Sequence, residues 1–230
     1  MKTHIRLGIK EAMPVILGYI PVAITFGLLV KLEGLTLLQA FLFSSVVFAG
    51  AAQFMAINSI NIGLSNPQII IATLLLNFRH VLMSTSISSR LSREARRFSP
   101  LIAFFVTDES YALTSHRDNI SHVYILSLQI ANYASWIIGT IIGFIAGQWI
   151  PEFIVSCMGI TLYAMFAALL VPEIKKGHRA LIMALMAGVL NYLFMRIPFL
   201  AQGWHFIIAV IVTAIIGTVI FKEEEVEHFE

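Results

Sequence analysis

Hydrophobic residues form long blocks along this chain, and short polar stretches separate the blocks. A membrane-spanning helix needs about 20 predominantly apolar residues, and eight segments meet or approach that length. They are residues 12–30, 37–60, 67–87, 100–114, 123–146, 153–171, 180–197 and 204–221. The pattern predicts an all-α integral membrane protein. We expect a polytopic helical bundle of about six to eight membrane segments in a single transmembrane domain, 1–230.

The basic residues form three clusters, and their spacing conflicts with a series of simple crossings. The clusters are Lys2/Arg6/Lys10, Arg90/Arg93/Arg96/Arg97 and Lys175/Lys176/Arg179. Lys and Arg are enriched in cytoplasmic loops. Three apolar segments separate each cluster from the next, and three crossings would place neighbouring clusters on opposite sides. One segment in each gap should therefore fail to cross. We expect the first segment, which contains Pro14 and Pro21, and the short, acidic fourth segment to be broken or re-entrant.

Two adjacent acids, Asp108 and Glu109, lie in the otherwise apolar fourth segment. A carboxylate at membrane depth costs roughly 2.5–3.5 kcal/mol on insertion scales, and two together indicate a proton, an ion or a substrate. An apolar environment favours the neutral form of a carboxyl group. Either acid is therefore a candidate proton carrier.

A polar patch ends the third segment, where Asn77 and His80 share one helix face beside Arg79. The Arg79 side chain either extends to the membrane interface or pairs with one of the acids. Leaving Arg79, both acids and Arg196 of the seventh segment unpaired in lipid would cost on the order of 10 kcal/mol in sum. This cost favours an ion pair. The pair either takes part in proton coupling or only joins two helices.

Small residues occur in two further patches. In the second segment, Ala49-Gly50-Ala51-Ala52 precedes Gln53 and Phe54. Small residues allow a backbone or a ligand to approach closely, so this patch indicates either helix packing or a substrate contact. In the fifth segment, Gly139, Gly143 and Gly147 lie on one face. That stripe predicts a packing surface for another helix of this chain or of a partner.

The composition and motifs point away from several other classes of protein. The chain is 58% hydrophobic and 12% charged, with a mean hydropathy of +0.86 and a formal net charge of +2. Its basic residues lie in loops rather than along one polar face, so we expect no nucleic-acid partner. Cys157 is the one cysteine, and no metal-binding or nucleotide-binding motif is present. We expect no enzymatic activity, no metal and no cofactor.

Weak internal similarity raises the question of two related halves, 1–118 and 119–222. Leu76-Asn77-Phe78 is similar to Leu190-Asn191-Tyr192, and residues 24–27 are loosely similar to residues 138–143. A duplicated transporter would show such a pattern, and chance matches between apolar segments would also produce it. The acidic residues 223–230 are expected to form a solvated tail.

The chain resembles the AzlC family of membrane proteins. The residues that carry the resemblance are Gly8-Ile9-Lys10-Glu11-Ala12-Met13-Pro14, Gly18, Pro21, Phe26-Gly27, Ala49-Gly50-Ala51-Ala52-Gln53-Phe54, Asn77-Phe78-Arg79-His80 and Phe105-Val106-Thr107-Asp108-Glu109. Each motif is weak alone, and the combination is specific. The resemblance implies the large subunit of an exporter of leucine, isoleucine or valine, with methionine as a further candidate. It also implies a bacterial inner-membrane location and a small AzlD-like membrane subunit as partner.

An amino acid zwitterion needs hydrogen-bond donors, acceptors and an apolar pocket for its side chain. We expect the substrate site to include Pro21, Phe26, Gly50, Gln53, Phe54, Asn77, Tyr111 and Asn191. We expect Asp108, Glu109, Arg79 and His80 to provide proton coupling. Two alternatives stay open, a channel-like amino acid pore without coupling and a membrane assembly or sensor subunit that transports nothing. A higher oligomer is also compatible with the sequence.

Overall fold

The computed structural model describes residues 2–115, 117–147, 149, 167, 170–171, 174–175, 177–197 and 204–221. The helices are α1 (Lys2–Leu32), α2 (Leu37–Leu42), α3 (Gly50–Asn61), α4 (Asn66–Arg90), α5 (Ser99–Phe104), α6 (Asp108–Thr114), α7 (His122–Ala146), α8 (His178–Phe194) and α9 (Trp204–Ile220). A π-helical turn (Phe43–Val47) continues α2, and a short 3-10 helix (Arg96–Phe98) precedes α5. The predicted all-α class is confirmed. Most of the sixth apolar segment, 153–171, and the acidic tail lie outside the described residues.

The chain forms two compact units. One contains Met1–Asn61 and Thr73–Leu162, and the other contains Ile62–Ala72 and Tyr163–Glu230. Among the described helices, α1, α4 and α7 are long and apolar enough to cross a membrane. The candidate halves 1–118 and 119–222 stay a prediction. In the second unit, α8 packs against α9, with Met183 against Gly217.

The expectation of a broken first segment is wrong, because α1 is one continuous helix through Pro14 and Pro21. A proline removes one helical hydrogen bond and crowds the preceding turn, but close packing along the length of the helix offsets this local cost. Helix α1 packs on α7 from Gly8, beside Tyr124, to Leu28, beside Gly147. The contacts advance in the same direction along both helices, so α1 and α7 are parallel.

Two glycines bring the backbones of α1 and α7 into reciprocal contact. A Cβ atom on Gly27 would overlap the Thr140 carbonyl oxygen, and one on Gly143 would overlap the Ile24 carbonyl oxygen. The glycine stripe of α7 therefore packs within the chain, against α1, and does not offer a surface to a partner subunit. The similarity between residues 24–27 and 138–143 also has a local explanation, because both segments need a small residue at this crossing.

The close contact at Gly27 predicts a loss of stability when this glycine is enlarged, and Gly18 of the same helix provides a matched control. Gly27→Ala should lower the melting temperature of the purified protein by about 5 °C or more, since a methyl group would push α1 off α7. Gly18→Ala should leave the melting temperature unchanged or raise it, because no atom of the described residues lies within 4 Å of a Cβ atom at Gly18 and alanine favours helix. Thermal unfolding in detergent measures both variants. Equal melting temperatures would contradict the close packing at Gly27.

The second apolar segment folds back on itself and forms a helical hairpin, hairpin one, from Leu37 to Asn61. The Gln53 side-chain amide donates to Ser44 Oγ at 3.2 Å. In one straight helix these two residues would lie about 13 Å apart on opposite faces. The turn is at Phe48, which has left-handed backbone angles. Between the first two basic clusters, the second segment therefore folds back and the first does not.

The fourth apolar segment also folds back, as predicted, and forms hairpin two, from Ser99 to Thr114. Ser99 lies beside Ser88, 3.3 Å between hydroxyl oxygens, and Ile120 pairs with the chain after Arg90. Both ends of the hairpin thus lie near the end of α4. Its middle reaches Arg79, about 16 Å earlier along α4.

The first two basic clusters lie at one end of this unit, which we call the basic end. Glu11, in α1, forms an ion pair with Arg117 at 2.7 Å and accepts a hydrogen bond from Tyr124. The adjoining Ile120 joins this group to the segment that carries Arg90 to Arg97. Hairpin two therefore enters from the basic end. Hairpin one enters from the opposite end, where α1 finishes. The third basic cluster belongs to the second unit and lies partly outside the described residues.

Candidate functional site

The tips of the two hairpins meet at one residue of α7, Tyr133. Phe48 from hairpin one and Phe105 from hairpin two each pack against its ring, with both pairs of ring centroids 4.9 Å apart. The Tyr133 hydroxyl donates to the Ser45 carbonyl oxygen at 2.9 Å. Two half-length helical hairpins thus enter from opposite ends and stop at the same level of α7. Irregular backbone of this kind is tolerated at membrane depth where protein covers it or where it lines a cavity.

The tip of hairpin one is buried and carries an amide. Gln53 is fully buried, and Ser44 lies between it and the Thr140 hydroxyl group, 2.7 Å away. Gly50 lies against the ring of Trp136, and a larger residue there would overlap it. Phe54 packs edge-on against Phe26, with ring centroids 5.5 Å apart. Phe26, Gly50, Gln53 and Phe54, four of the predicted substrate residues, therefore lie in this one region.

The tip of hairpin two is a helix start. The Thr107 side chain caps α6 by accepting from the Ser110 backbone N–H, and the Ser110 hydroxyl accepts from the Thr107 N–H in return. Asp108 and Glu109 occupy the first turn of α6. Carboxylates are favoured at this position, because the exposed N–H groups of a helix start carry partial positive charge. The cap and the acids together define where this hairpin reverses.

The two acids have different partners. The expected ion pair forms between Arg79 and Asp108 at 2.9 Å, and each side chain is about one-third exposed, 31% and 33%. Glu109 instead accepts a hydrogen bond from the Tyr19 hydroxyl group at 2.5 Å. Asp108 is therefore held by a fixed positive charge, whereas Tyr19, which donates to Glu109, is neutral. The Tyr19 ring also packs edge-on against Trp136, with centroids 5.2 Å apart.

The remaining predicted residues are more dispersed. Tyr111 contacts the Ser86 hydroxyl group at 3.1 Å, and His80 contacts the Asn77 carbonyl oxygen of its own helix. Pro21 is exposed on α1. Asn191 belongs to the second unit.

There, Asn191 Oδ1 lies 2.9 Å from His205 Nδ1, between α8 and α9. The described residues contain no group of three or more His, Cys, Asp or Glu side chains placed to hold a metal ion.

A polar face of α7 crosses the level at which the hairpins meet. Gln129, Asn132 and Trp136 follow one another at spacings of three and four residues, so they share a helix face. Gln129 donates through Nε2 to the Ile102 carbonyl oxygen of hairpin two, 3.1 Å away. Trp136 contacts Gly50 of hairpin one. Asn132 lies between these contacts, near the middle of the 25-residue helix.

Several polar atoms of this face have no hydrogen-bond partner among the described residues. They are Gln129 Oε1, Asn132 Oδ1, Asn132 Nδ2 and Trp136 Nε1. The three side chains are 0%, 1% and 4% exposed. A buried polar atom without a partner costs about 1–3 kcal/mol, so these atoms make the packing of this helix face energetically unfavourable.

Sequence patterning missed Tyr19, Tyr133 and Trp136, because their partners are distant in the chain and an aromatic residue in an apolar helix is unremarkable by itself.

Comparison with known proteins gives a consistent result. The family model described as AzlC protein matches residues 14–150. A membrane protein of Archaeoglobus fulgidus, described as uncharacterised, is 33% identical over 175 residues, which cover 75% of this chain and 77% of the relative. The inner membrane protein YgaZ of Escherichia coli K12 is 28% identical, covering 80% of this chain and 78% of the relative.

A third relative has a name that states an activity. The branched-chain amino acid transport protein AzlC of Bacillus subtilis 168 is 23% identical over 76% of this chain and 69% of its own length. No solved structure matches the chain significantly. The matched relatives are named as membrane proteins or as a transport protein, and α1, α4 and α7 have the length and composition of membrane spans. The chain is an integral membrane protein.

Proposed function

This chain belongs to the AzlC family, and from that premise we propose that it exports branched-chain amino acids across a bacterial inner membrane. Leucine, isoleucine and valine are the proposed substrates, with methionine as a further one. The activity is transport driven by a gradient rather than catalysis. The name of the Bacillus subtilis relative supports the substrate class. The export direction, the coupling to protons and the partner subunit are further parts of the proposal.

The observation that carries the proposal is the meeting of two opposed hairpins at Tyr133. Transporters commonly bind their substrates near the bilayer midplane, at helices that are interrupted there. Hairpin one brings Gln53 and Gly50 to this level, and hairpin two brings Asp108 and Glu109. A polar site between two opposed hairpins can open to one side at a time if each hairpin moves in turn. A fixed pore would need no such arrangement.

Proton coupling is assigned to Glu109 in preference to Asp108. Asp108 pairs with Arg79, and the guanidinium group stabilises the charged carboxylate. Glu109 faces a hydroxyl group, which accommodates either its charged or its neutral form. Glu109 is therefore better placed to gain and lose a proton during transport. Arg79 and Asp108 hold hairpin two against α4 while this occurs.

A small AzlD-like membrane subunit is the proposed partner. The support is the family resemblance alone, because the glycine stripe of α7 is occupied by α1. The surface that such a subunit would contact stays unassigned within the described helices. We expect the chain purified without the subunit to be less stable or less active than the pair.

Counterflow in proteoliposomes tests the proposed function. Vesicles loaded with unlabelled leucine should transiently accumulate labelled leucine above equilibrium, and excess isoleucine or valine outside should compete. A pore would show equilibration without accumulation, and an assembly subunit would show neither. The experiment is run with the chain alone and with the small subunit, so that a requirement for the subunit is measured separately. Absence of accumulation with both preparations would refute the transporter proposal.

The orientation of the chain in the membrane can be tested separately in intact cells. By the distribution of basic residues, the basic end should face the cytoplasm. In a Cys157→Ala background, a cysteine at Ser92 should react only after a membrane-permeant reagent enters or the membrane is inverted. A cysteine at Glu33, in the turn after α1, should react from the periplasm. Reaction of Ser92→Cys with an impermeant reagent in intact cells would reverse the proposed orientation.

A further inference from the structure

The polar face of α7 has no assigned role, and its unpartnered atoms form a balanced set. Trp136 Nε1 and Asn132 Nδ2 are donors, whereas Asn132 Oδ1 and Gln129 Oε1 are acceptors. None of these side chains is ionised. The set therefore offers two donors and two acceptors from three neutral, buried side chains on one helix face.

We propose that Gln129, Asn132 and Trp136 bind the α-carboxylate and α-ammonium groups of an amino acid substrate. The two donors suit a carboxylate, and the two acceptors suit an ammonium group. The inference rests on the proposed function and assigns the residues that recognise the part shared by all α-amino acids. Apolar residues near this face of α7 would contact the variable side chain of the substrate.

The position of this face supports the assignment. Gln129 contacts hairpin two, Trp136 contacts hairpin one, and Asn132 lies between them. Displacement of either hairpin tip from Tyr133 would uncover the adjacent part of the face. A ligand bound there would contact both hairpins, so either one could close over it. The contacts of this ligand would also satisfy the polar atoms that lack a partner among the described residues.

A purely structural role predicts different behaviour. A buried amide that stabilises a fold is normally hydrogen-bonded through both of its groups, whereas neither group of Asn132 has a partner in the part of the chain that the structure describes. Neighbouring Ser135 provides the contrast, since its buried hydroxyl donates to the Asn132 carbonyl oxygen at 2.7 Å. Ser135→Ala is therefore a matched control on the same helix, which removes a satisfied polar group.

The experiment measures leucine binding and thermal stability in the full-length chain, with its small subunit if that proves necessary. Asn132→Leu should weaken leucine binding at least about 30-fold, since hydrogen bonds to two charged groups are lost. Its melting temperature should be no lower than that of the original protein, because an unpartnered amide is replaced by an apolar group of similar size. Ser135→Ala should leave binding within about twofold.

Trp136→Phe provides a second variant, which removes the indole N–H and part of the ring but keeps an aromatic side chain. This variant should weaken the binding of leucine about 10-fold. It should weaken the binding of leucinamide, which lacks the carboxylate, less than about twofold. A loss of both leucine binding and thermal stability in Asn132→Leu would overturn the assignment in favour of a structural role. Equal weakening of leucine and leucinamide binding in Trp136→Phe would do the same. Unchanged leucine binding in both variants would overturn it as well. An original protein that neither binds nor exchanges leucine would instead overturn the proposed function, and this site with it.

Discussion

Glu109→Gln is expected to abolish leucine efflux driven uphill by a pH gradient, while leucine counterflow stays within about twofold of the original rate. Glutamine keeps the size of the side chain and an acceptor for the Tyr19 hydroxyl group, but it cannot release a proton. Counterflow exchanges substrate for substrate and needs no net proton movement. The two transport modes should therefore separate in this variant.

The measurement uses proteoliposomes with an imposed pH gradient, followed by counterflow in the same preparation. Glu33→Gln, in the turn after α1, controls for the loss of one acid elsewhere in the chain. Uphill efflux at the original rate in Glu109→Gln would exclude this carboxyl group as the proton carrier. If Asp108→Asn behaved as predicted for Glu109→Gln and kept its stability, the coupling role would pass to Asp108.

Asp108→Asn should mainly lower the stability of the protein. Removing one partner of a fully buried ion pair costs about 3–5 kcal/mol. Because Arg79 and Asp108 are each about one-third exposed, a loss of about 1–3 kcal/mol is expected after allowing for screening. That loss corresponds to about 3–10 °C in melting temperature for a chain of this size. Arg79→Gln should show a loss of similar size.

The double variant distinguishes pairing from two separate effects. Arg79→Leu with Asp108→Leu leaves no charge without a partner, so it should recover most of the melting temperature lost in the single variants. Glu109→Gln, which removes the neighbouring acid, should lower the melting temperature less than Asp108→Asn. Independent, additive losses in the double variant would contradict an energetically coupled Arg79–Asp108 pair.

Hydropathy and charge could predict the class of fold and part of its topology. The apolar blocks identify the helices, and the cost of isolated charges in lipid correctly predicts an ion pair at Arg79. The fourth segment was recognised because it is short and acidic. These predictions depend on the composition of one segment at a time, which a sequence displays directly.

The error over the first and second segments has a different origin. Pro14 and Pro21 indicate a broken helix locally, but contact with α7 keeps α1 continuous. Residues 37–60 have the length of a full span, and length does not reveal that the chain turns back at Phe48. The turn uses left-handed angles at Phe48 and not at the nearby Gly50, so the glycine in the sequence does not identify the residue at which the chain reverses. The sequence also does not show that polar atoms on α7 lack partners, because this is a property of the packed structure.

The ring of Tyr133 has a mechanical consequence. Both hairpin tips rest on it, through Phe48 and Phe105, and its hydroxyl group is tied to hairpin one at Ser45. The ring is thus fastened to one hairpin and only in contact with the other. Hairpin two can separate from it by losing an apolar contact, whereas hairpin one must also break a hydrogen bond. At Tyr133 itself, the contact with hairpin two should therefore break more easily than the contact with hairpin one. The Arg79–Asp108 ion pair and the bond from Gln129 then become the main restraints on hairpin two.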